Sequence, residues 1–347
     1  LKVLKFILKY FKLSDMKSKM IFLVAIIILA NSLFSADWVV YEGKDGPGKG
    51  KHIVFLTGDE EYRSEEGLPM LAKILSQRHG FKCTVLFAID SSNGTINPNI
   101  KTNIPGIEAL DNADLCIMLL RFRELPDEQM EHFVNYLKAG KPIIALRTST
   151  HAFAYSPGSK SKYKKYDWQS KEWTGGFGKQ VLGETWVSHH GNHKKEATRG
   201  IIEPGKNNHP ILRGVTDIFG TTDVYTANPP PDAEILVRGQ VLSGMKPTDP
   251  PVEGSKNNPM QPIVWIRYYK NEWGTTNKVL TTTMGAATDL LNEGLRRLLI
   301  NAAYWAVGLE NKISEKAYVD FVGEYNPSFY GYNGYKKGVK PSDVELK

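Results

Sequence analysis

Five of the chain's eight histidines, His151, His189, His190, His193 and His209, fall between residues 151 and 209. Imidazole moves protons near neutral pH and ligates metals, so this stretch is where chemistry is sought first. His151 follows an apolar run in Ala145-Leu146-Arg147-Thr148-Ser149-Thr150-His151. A turn at the end of a strand is where α/β proteins present side chains to ligands. His151 is read as a general acid or base; the structural reading of the same residue is a cap on a helix start. The second cluster is His189-His190-Gly191-Asn192-His193. Paired histidines on a helix with a third carboxylate hold Zn²⁺. Gly191 and Asn192 argue against a helix, however, and the H-E-x-x-H pattern of metal hydrolases is absent. His189, His190 and His193 are therefore read as substrate contacts and kept as candidate ligands of a divalent metal such as Zn²⁺. No cofactor is assigned.

The carboxylates come from Gly58-Asp59-Glu60-Glu61-Tyr62-Arg63-Ser64. Glu60 or Glu61 is the expected acid–base partner of His151, with Tyr62 and Arg63 beside it in a substrate site. The same acidic residues would equally suit a helix N-terminus. A lone Gly58 makes a poor phosphate cradle. Arg121, Arg123 and Arg147 end apolar runs, where guanidinium suits a carboxylate or polyol ligand; ion pairs with Glu60, Glu61 or Glu124 are the plainer alternative. Asp223, Tyr225 and Thr283-Met284-Gly285 are placed at the same mouth. Trp168, Trp173 and Trp186 offer faces for sugar rings, and Trp173 is included among the expected substrate contacts; each alone is as readily a core residue.

These groups need a frame. His52–Thr57, Cys83–Ile89, Ala113–Leu120 and Pro142–Leu146 read as buried strands. Between them lie helical patterns at Glu66–His79, stopped by Gly80, and at Pro126–Lys138, with Met130, Phe133, Val134 and Leu137 on one face. Continuous apolar strands alternating with helices predict an α/β fold around a mainly parallel sheet, doubly wound and covered on both faces. Further strands are expected at Ala197–Glu203, Glu234–Val241, Ile263–Tyr269 and Val279–Thr283. A closing helix is expected over Asp289–Val307, with Leu291, Leu295, Leu298, Leu299, Ala302 and Trp305 inward. Residues 154–195 read as a long insertion, uncommon unless it serves a site. The Gly- and Tyr-rich residues 313–347 read as a tail packed on a domain spanning 37–312.

The 347 residues are 41% hydrophobic and 23% charged, ordinary globular usage that excludes a disordered chain. The net charge is +7, yet residues 1–36 hold six lysines and one aspartate, leaving 38 basic and 36 acidic residues elsewhere. The basic excess belongs to the leader, so nucleic acid is not an expected partner. From Met16 that leader runs through lysines, an apolar stretch to Ala30 and small residues to Ala36, the form of an export signal. The expectation is a periplasmic or extracellular protein with no stable membrane span once the signal is cleaved. Cys83 and Cys116 fall in apolar runs and read as core.

In order along the chain, several pieces resemble the trehalose-utilisation (ThuA-like) family over about residues 50–310. They are Gly58-Asp59-Glu60-Glu61-Tyr62-Arg63, the turn Ala145–Phe153 with its histidine, His209-Pro210 leading into Ile211–Val215, Asp223-Val224-Tyr225, Thr283-Met284-Gly285, and a helix ending Tyr304-Trp305-Ala306. The resemblance implies a class I glutamine amidotransferase-like, flavodoxin-like fold and a role in carbohydrate metabolism. The amidotransferases carry a nucleophilic cysteine in the turn after the fourth strand; here Thr148, Ser149 and Thr150 stand there, so a glutaminase is not expected. A strand order of 2-1-3-4 would also keep Cys83 and Cys116 apart. The expected function is acid–base chemistry on a sugar or keto-sugar by isomerisation, elimination or hydrolysis. A non-catalytic carbohydrate-binding domain and a metal-dependent hydrolase built on His189, His190 and His193 are the alternatives. The expected partner is a small carbohydrate, and a homo-oligomer is left open.

Overall fold

The computed structural model describes residues 37–346; the expected export leader, residues 1–36, lies outside them. Seven-residue β2 (His52–Gly58) is apolar and buried along nearly its whole length, the signature of a strand covered on both faces. It pairs in parallel with β3 (Lys82–Leu86) on one side and β6 (Leu115–Leu120) on the other, and β6 pairs in parallel with β7 (Ile143–Leu146). The first four expected strands thus lie in the order second, first, third, fourth. β12 (Thr276–Thr282) adds in parallel to β7.

Antiparallel strands extend this parallel centre on both sides. β1 (Trp38–Tyr41) lies outside β3. Beyond β12 come β11 (Gln261–Lys270), β10 (Glu234–Val241), β8 (Thr198–Ile202) and β9 (Ile218–Gly220). The result is a mixed ten-stranded sheet. A two-residue hairpin, β4 (Ile89–Asp90) with β5 (Thr95–Ile96), stands apart.

Alternation along β2 divides the core. Ile53 and Phe55 face one side, with α1 (Ser64–His79) and α3 (Glu293–Ala306); Val54 and Leu56 face the other, with α2 (Asp127–Lys138). Met130, Phe133, Val134 and Leu137 of α2 are buried as their spacing predicts. Burial of each such side chain contributes about 1.5–3 kcal/mol before conformational entropy is counted. α1 stops at Gly80, whose φ of 81° is left-handed, and its N–H caps the carbonyls of Leu75 and Ser76. Cys83 and Cys116 are free and buried on opposite faces of the sheet.

The closing helix departs from its expected span. A 3₁₀ turn covers Asp289–Leu291, and α3 begins afresh with Asn292 as its cap, accepting from Leu295 N at 2.8 Å. Asp289 is the reason: its buried carboxylate accepts from the amides of Gly285, Ala286 and Thr222, which ties the turn to the strand ends. Leu291, expected inward, is 49% exposed as a result.

The insertion 154–195 is largely irregular, with short turns at Lys164–Tyr166 and Gly178–Leu182. The C-terminal segment packs as a strap: Ile313, Val319 and Tyr330 join the core, and Tyr41 Oη donates to the Val344 carbonyl at 2.6 Å. Among the described residues no helix is long and apolar enough to cross a membrane.

Candidate functional site

The parallel strands β2, β6, β7 and β12 all deliver their next residues to one edge, the carboxyl edge where ligands of α/β sheets bind. Three non-glycine residues with left-handed backbone stand there: Arg63 (φ 61°) on the loop after β2, Phe122 (φ 52°) after β6 and Arg147 (φ 38°) after β7. Such conformations cost free energy and persist where the surroundings over-determine them. Here the loops are stitched together, since the amides of Phe122 and Arg123 donate to the carbonyls of His151 and Ala152.

Asp223 is the hub of the site. It is 1% exposed. Its Oδ1 accepts from Arg147 Nη2 at 3.0 Å and His193 Nδ1 at 2.9 Å, and its Oδ2 accepts from His189 Nδ1 at 2.6 Å. Burial alone would raise its pKa; the Arg147 guanidinium and the two imidazole hydrogen bonds outweigh that and hold the carboxyl well below its usual range. A carboxylate can only accept, so His189 carries its proton on Nδ1 and leaves Nε2 for a ligand. His193 is shared: its Nε2 lies 3.2 Å from Glu61 Oε1.

Arg147 is fully buried between the rings of Tyr62 and Tyr225, 4.2 Å from each centroid. Its Nη1 donates to the carbonyls of Asp223 and Thr283, and its Nη2 also to Tyr62 Oη. It has no face left for substrate, contrary to expectation, and acts by fixing Asp223. Tyr62 and Tyr225 are buried with it, so they too are supports rather than ligand contacts.

Glu60 is taken by two arginines, Arg121 at 2.5 Å and Arg123 at 2.8 Å, so the ion-pair alternative is the one realised. Glu61 meets His193 rather than His151. Neither carboxylate is the partner expected for His151. Asp59 organises the loop instead: it is buried and accepts from the amides of Glu61 and Tyr62 and from the Thr148 hydroxyl. Burial, and then Glu60, push its carboxyl pKa up. Arg63, also expected to touch substrate, is buried and donates to the carbonyls of Glu60, Glu61 and Gly331.

His151 sits in an aromatic box. Phe122, Trp186 and Trp168 lie with ring centroids at 4.9, 5.9 and 6.3 Å from it, and Thr150 Oγ1 engages its Nδ1. Burial, reinforced by Arg121 and Arg147, drives its pKa well below the usual imidazole value. It is therefore neutral at pH 7, with its hold on a proton weakened by burial. A stability effect follows. The unfolded chain takes up a proton at this residue below about pH 6.5 and the folded chain does not, so stability is lost as pH falls. The expected slope is about 1.4 kcal/mol per pH unit on the acid side of pH 6.5. Urea unfolding at pH 7.5 and pH 5 should show that slope reduced in His151→Phe; an unchanged slope would remove the assignment.

Trp186 continues the wall to His189, at 5.9 Å, and Trp168 packs on Phe122 and Trp186. Phe122 and Trp168 also line an adjoining cavity of about 400 Å³ that reaches Lys101 and Ser156. Trp173 is elsewhere, edge-on to Tyr166 and against the core. His190 turns away and its Nε2 meets the Lys256 carbonyl at 2.8 Å. His209 caps the Pro210–Leu212 turn.

The strap supplies residues that the sequence did not single out for the site. Gly331 N donates to the Glu61 carbonyl at 2.8 Å, Tyr330 packs on Tyr62 and His193, and Tyr332 Oη accepts from Arg121 Nη2 at 2.8 Å. Their aromatic density was the available signal; that they return to the β2 loop was not. Phe122 offered no signal at all. Among the described residues, His189, His193 and Asp223 form the one group whose donor atoms are close enough for a metal, within 4.8 Å.

A mixed sheet whose parallel strands converge on a histidine–carboxylate cluster, walled by indoles, defines an α/β protein with a candidate site at the strand ends. The chain belongs to the ThuA family, described as trehalose utilisation, whose model matches residues 52–306. The strap lies beyond that match. No curated protein matches the chain. Similar solved structures include a ThuA-like protein from Parabacteroides merdae, at 14% identity and a TM-score of 0.46, covering 82% of this chain and 98% of that one. Another is a ThuA-like protein from Bacteroides uniformis, at 14% identity and a TM-score of 0.45, covering 77% and 95%.

Proposed function

We propose that this protein is an enzyme of carbohydrate metabolism that moves a proton on a sugar or keto-sugar, with His189 as the acid–base group. The observation that carries the reading is the Asp223–His189 pair. A buried carboxylate, itself fixed by Arg147, orients an imidazole whose ring is 37% exposed and faces the Trp186 wall. A carboxylate behind Nδ1 sets the tautomer and stabilises the imidazolium formed when Nε2 takes a proton. Indole faces suit the C–H faces of a pyranose. Family membership supports a carbohydrate substrate. Isomerisation, elimination and hydrolysis all need this proton transfer.

Glutamine hydrolysis is set aside. Burial pushes the Cys83 and Cys116 thiols up, and both lie within strands away from the β7 turn. The reading also takes the parallel centre as flavodoxin-like and doubly wound, supported by the strand order and the helices on both faces. Export is part of it, supported by the Met16–Ala36 leader pattern.

A second reading rests on the donor cluster: His189, His193 and Asp223 would hold a divalent cation that activates water. Against it, both oxygens of Asp223 already accept hydrogen bonds, one from the Arg147 cation. The experiment is a screen of trehalose, glucose and their 3-keto derivatives by NMR, with elemental analysis of protein purified without chelator. Turnover by protein holding far less than one metal ion per chain is expected. Binding without turnover would favour a carbohydrate-binding domain. Stoichiometric metal lost in His189→Ala would favour the hydrolase.

A further inference from the structure

The family match ends at residue 306, yet the strap beyond it returns to the mouth of the site. One turn of the strap is pinned there on both sides. Before the turn, Ser328 N donates to Glu66 Oε2 at 3.0 Å and Tyr330 Oη to the Thr221 carbonyl at 2.9 Å. Within it, Gly331 N donates to the Glu61 carbonyl at 2.8 Å, and the Gly331 carbonyl accepts from Arg63. After it, Lys336 Nζ reaches Glu66 Oε2 at 2.9 Å. Asn333 takes a left-handed φ of 59°, a conformation that persists where the surroundings over-determine it.

The turn buries Tyr330, which is 2% exposed, but holds Tyr332 out at 56%. The Tyr332 ring is fixed all the same. Its Oη accepts from Arg121 Nη2 at 2.8 Å, and Arg121 is itself held by Glu60. The Arg121 guanidinium lies against two rings, 5.2 Å from the Tyr332 centroid and 4.5 Å from that of Phe122. Through Arg121 and Phe122, Tyr332 adjoins the aromatic box around His151. Through Gly331 the same turn adjoins Glu61, which meets His193, whose ring lies 4.8 Å from that of His189.

A ring held in one orientation with much of its surface in water adds little to packing. It offers a rigid amphipathic face, the kind of surface on which the C–H face of a sugar stacks. Fixing the ring in advance also lowers the cost of ordering it when a ligand arrives. The hydroxyl is not needed for that contact, because its task is to hold the ring on Arg121.

We propose that Tyr332 is a substrate-contacting residue whose ring supplies an outer stacking face for the sugar, so that the strap helps determine which sugars the site accepts. This rests on the carbohydrate reading above, but not on His189 as the acid–base group.

The test is calorimetric titration of the purified chain with trehalose, glucose and their 3-keto derivatives, in wild type, Tyr332→Ala and Tyr332→Phe. Tyr332→Ala should weaken binding of the best-bound sugar about tenfold, while Tyr332→Phe, which keeps the ring and removes only its tether, should weaken it by less than about threefold. For a sugar that is turned over, Tyr332→Ala should raise KM by the same factor and leave kcat unchanged. Both variants should unfold within about 2 °C of wild type, since the side chain is half exposed. Weakened binding in Tyr332→Ala without turnover of any sugar would uphold the proposal and remove the reaction assigned to His189. Unchanged binding in Tyr332→Ala would overturn the proposal and leave that reaction standing. Equal losses in Tyr332→Ala and Tyr332→Phe would also overturn it, because the hydroxyl would then be acting through Arg121. A wild-type chain that binds none of the four sugars would overturn it together with the carbohydrate reading.

Discussion

Replacing His189 with alanine is expected to lower kcat about 10²–10⁴-fold on the sugar that the screen identifies, with the protein still folded. The loss should fall on kcat rather than KM, because the imidazole is assigned to proton transfer and the indoles to binding. Stability should change little. The His189 ring is more than a third exposed, and Asp223 keeps Arg147 and His193 as donors when it is gone. The contrast with His151 makes the experiment decisive. His151 is buried and held neutral, so His151→Phe should disturb the aromatic box and the pH dependence of stability while keeping part of the turnover. Circular dichroism would establish folding, and product formation would be followed by NMR. Full turnover by folded His189→Ala would sink the assignment. Greater damage from His151→Phe than from His189→Ala would return the acid–base role to the β7 turn.

The sequence made the frame legible where apolar pattern alone decides structure. β2, β6 and β7 are uninterrupted apolar runs, and α2 carries a clean face between Pro126 and Gly140. β1 was missed: it is a four-residue strand that, among the described residues, pairs with β3 alone. The break at Asn292 was missed because it depends on Asp289 reaching the amides of Thr222, Gly285 and Ala286, a contact no local pattern encodes.

The site shows the same division. The charged groups of the cluster could be named, since His, Asp, Glu and Arg at strand ends are conspicuous, whereas Phe122, Tyr330 and Tyr332 could not. Nor could the partners of the charged groups. Asp223 lies 30 positions from His193 and 76 from Arg147, yet takes both. Trp173 and Trp186 are the same residue type 13 positions apart; packing against Tyr166 sends one to the core side and leaves the other between His151 and His189. Arginines that look like ligand anchors become supports when a carboxylate lies within 3 Å, as Asp223 and Glu60 do for Arg147 and Arg123.

Asp223→Ala is expected to cost about 3–5 kcal/mol of unfolding free energy at pH 7. The charge lost is small beside the charge stranded. Arg147 would stay fully buried, and its Nε already lacks a partner. The carbonyls of residue 223 and Thr283 and the two tyrosine rings would still hold the guanidinium, but no anion would neutralise it. Those remaining contacts argue for the lower half of that range. The pH dependence distinguishes this account from simple loss of packing. The folded-state pKa of Asp223 is depressed, so its ionic contribution is fully present above the unfolded value near 3.9 and is lost progressively as pH falls below it. Urea unfolding of wild type and Asp223→Asn, which keeps the side-chain shape, should therefore differ most at neutral pH and converge toward pH 2. A difference that is the same at pH 7 and pH 3 would mean that shape, not charge, holds the hub together. In that case the orientation of His189 by a buried carboxylate would lose its physical basis as well.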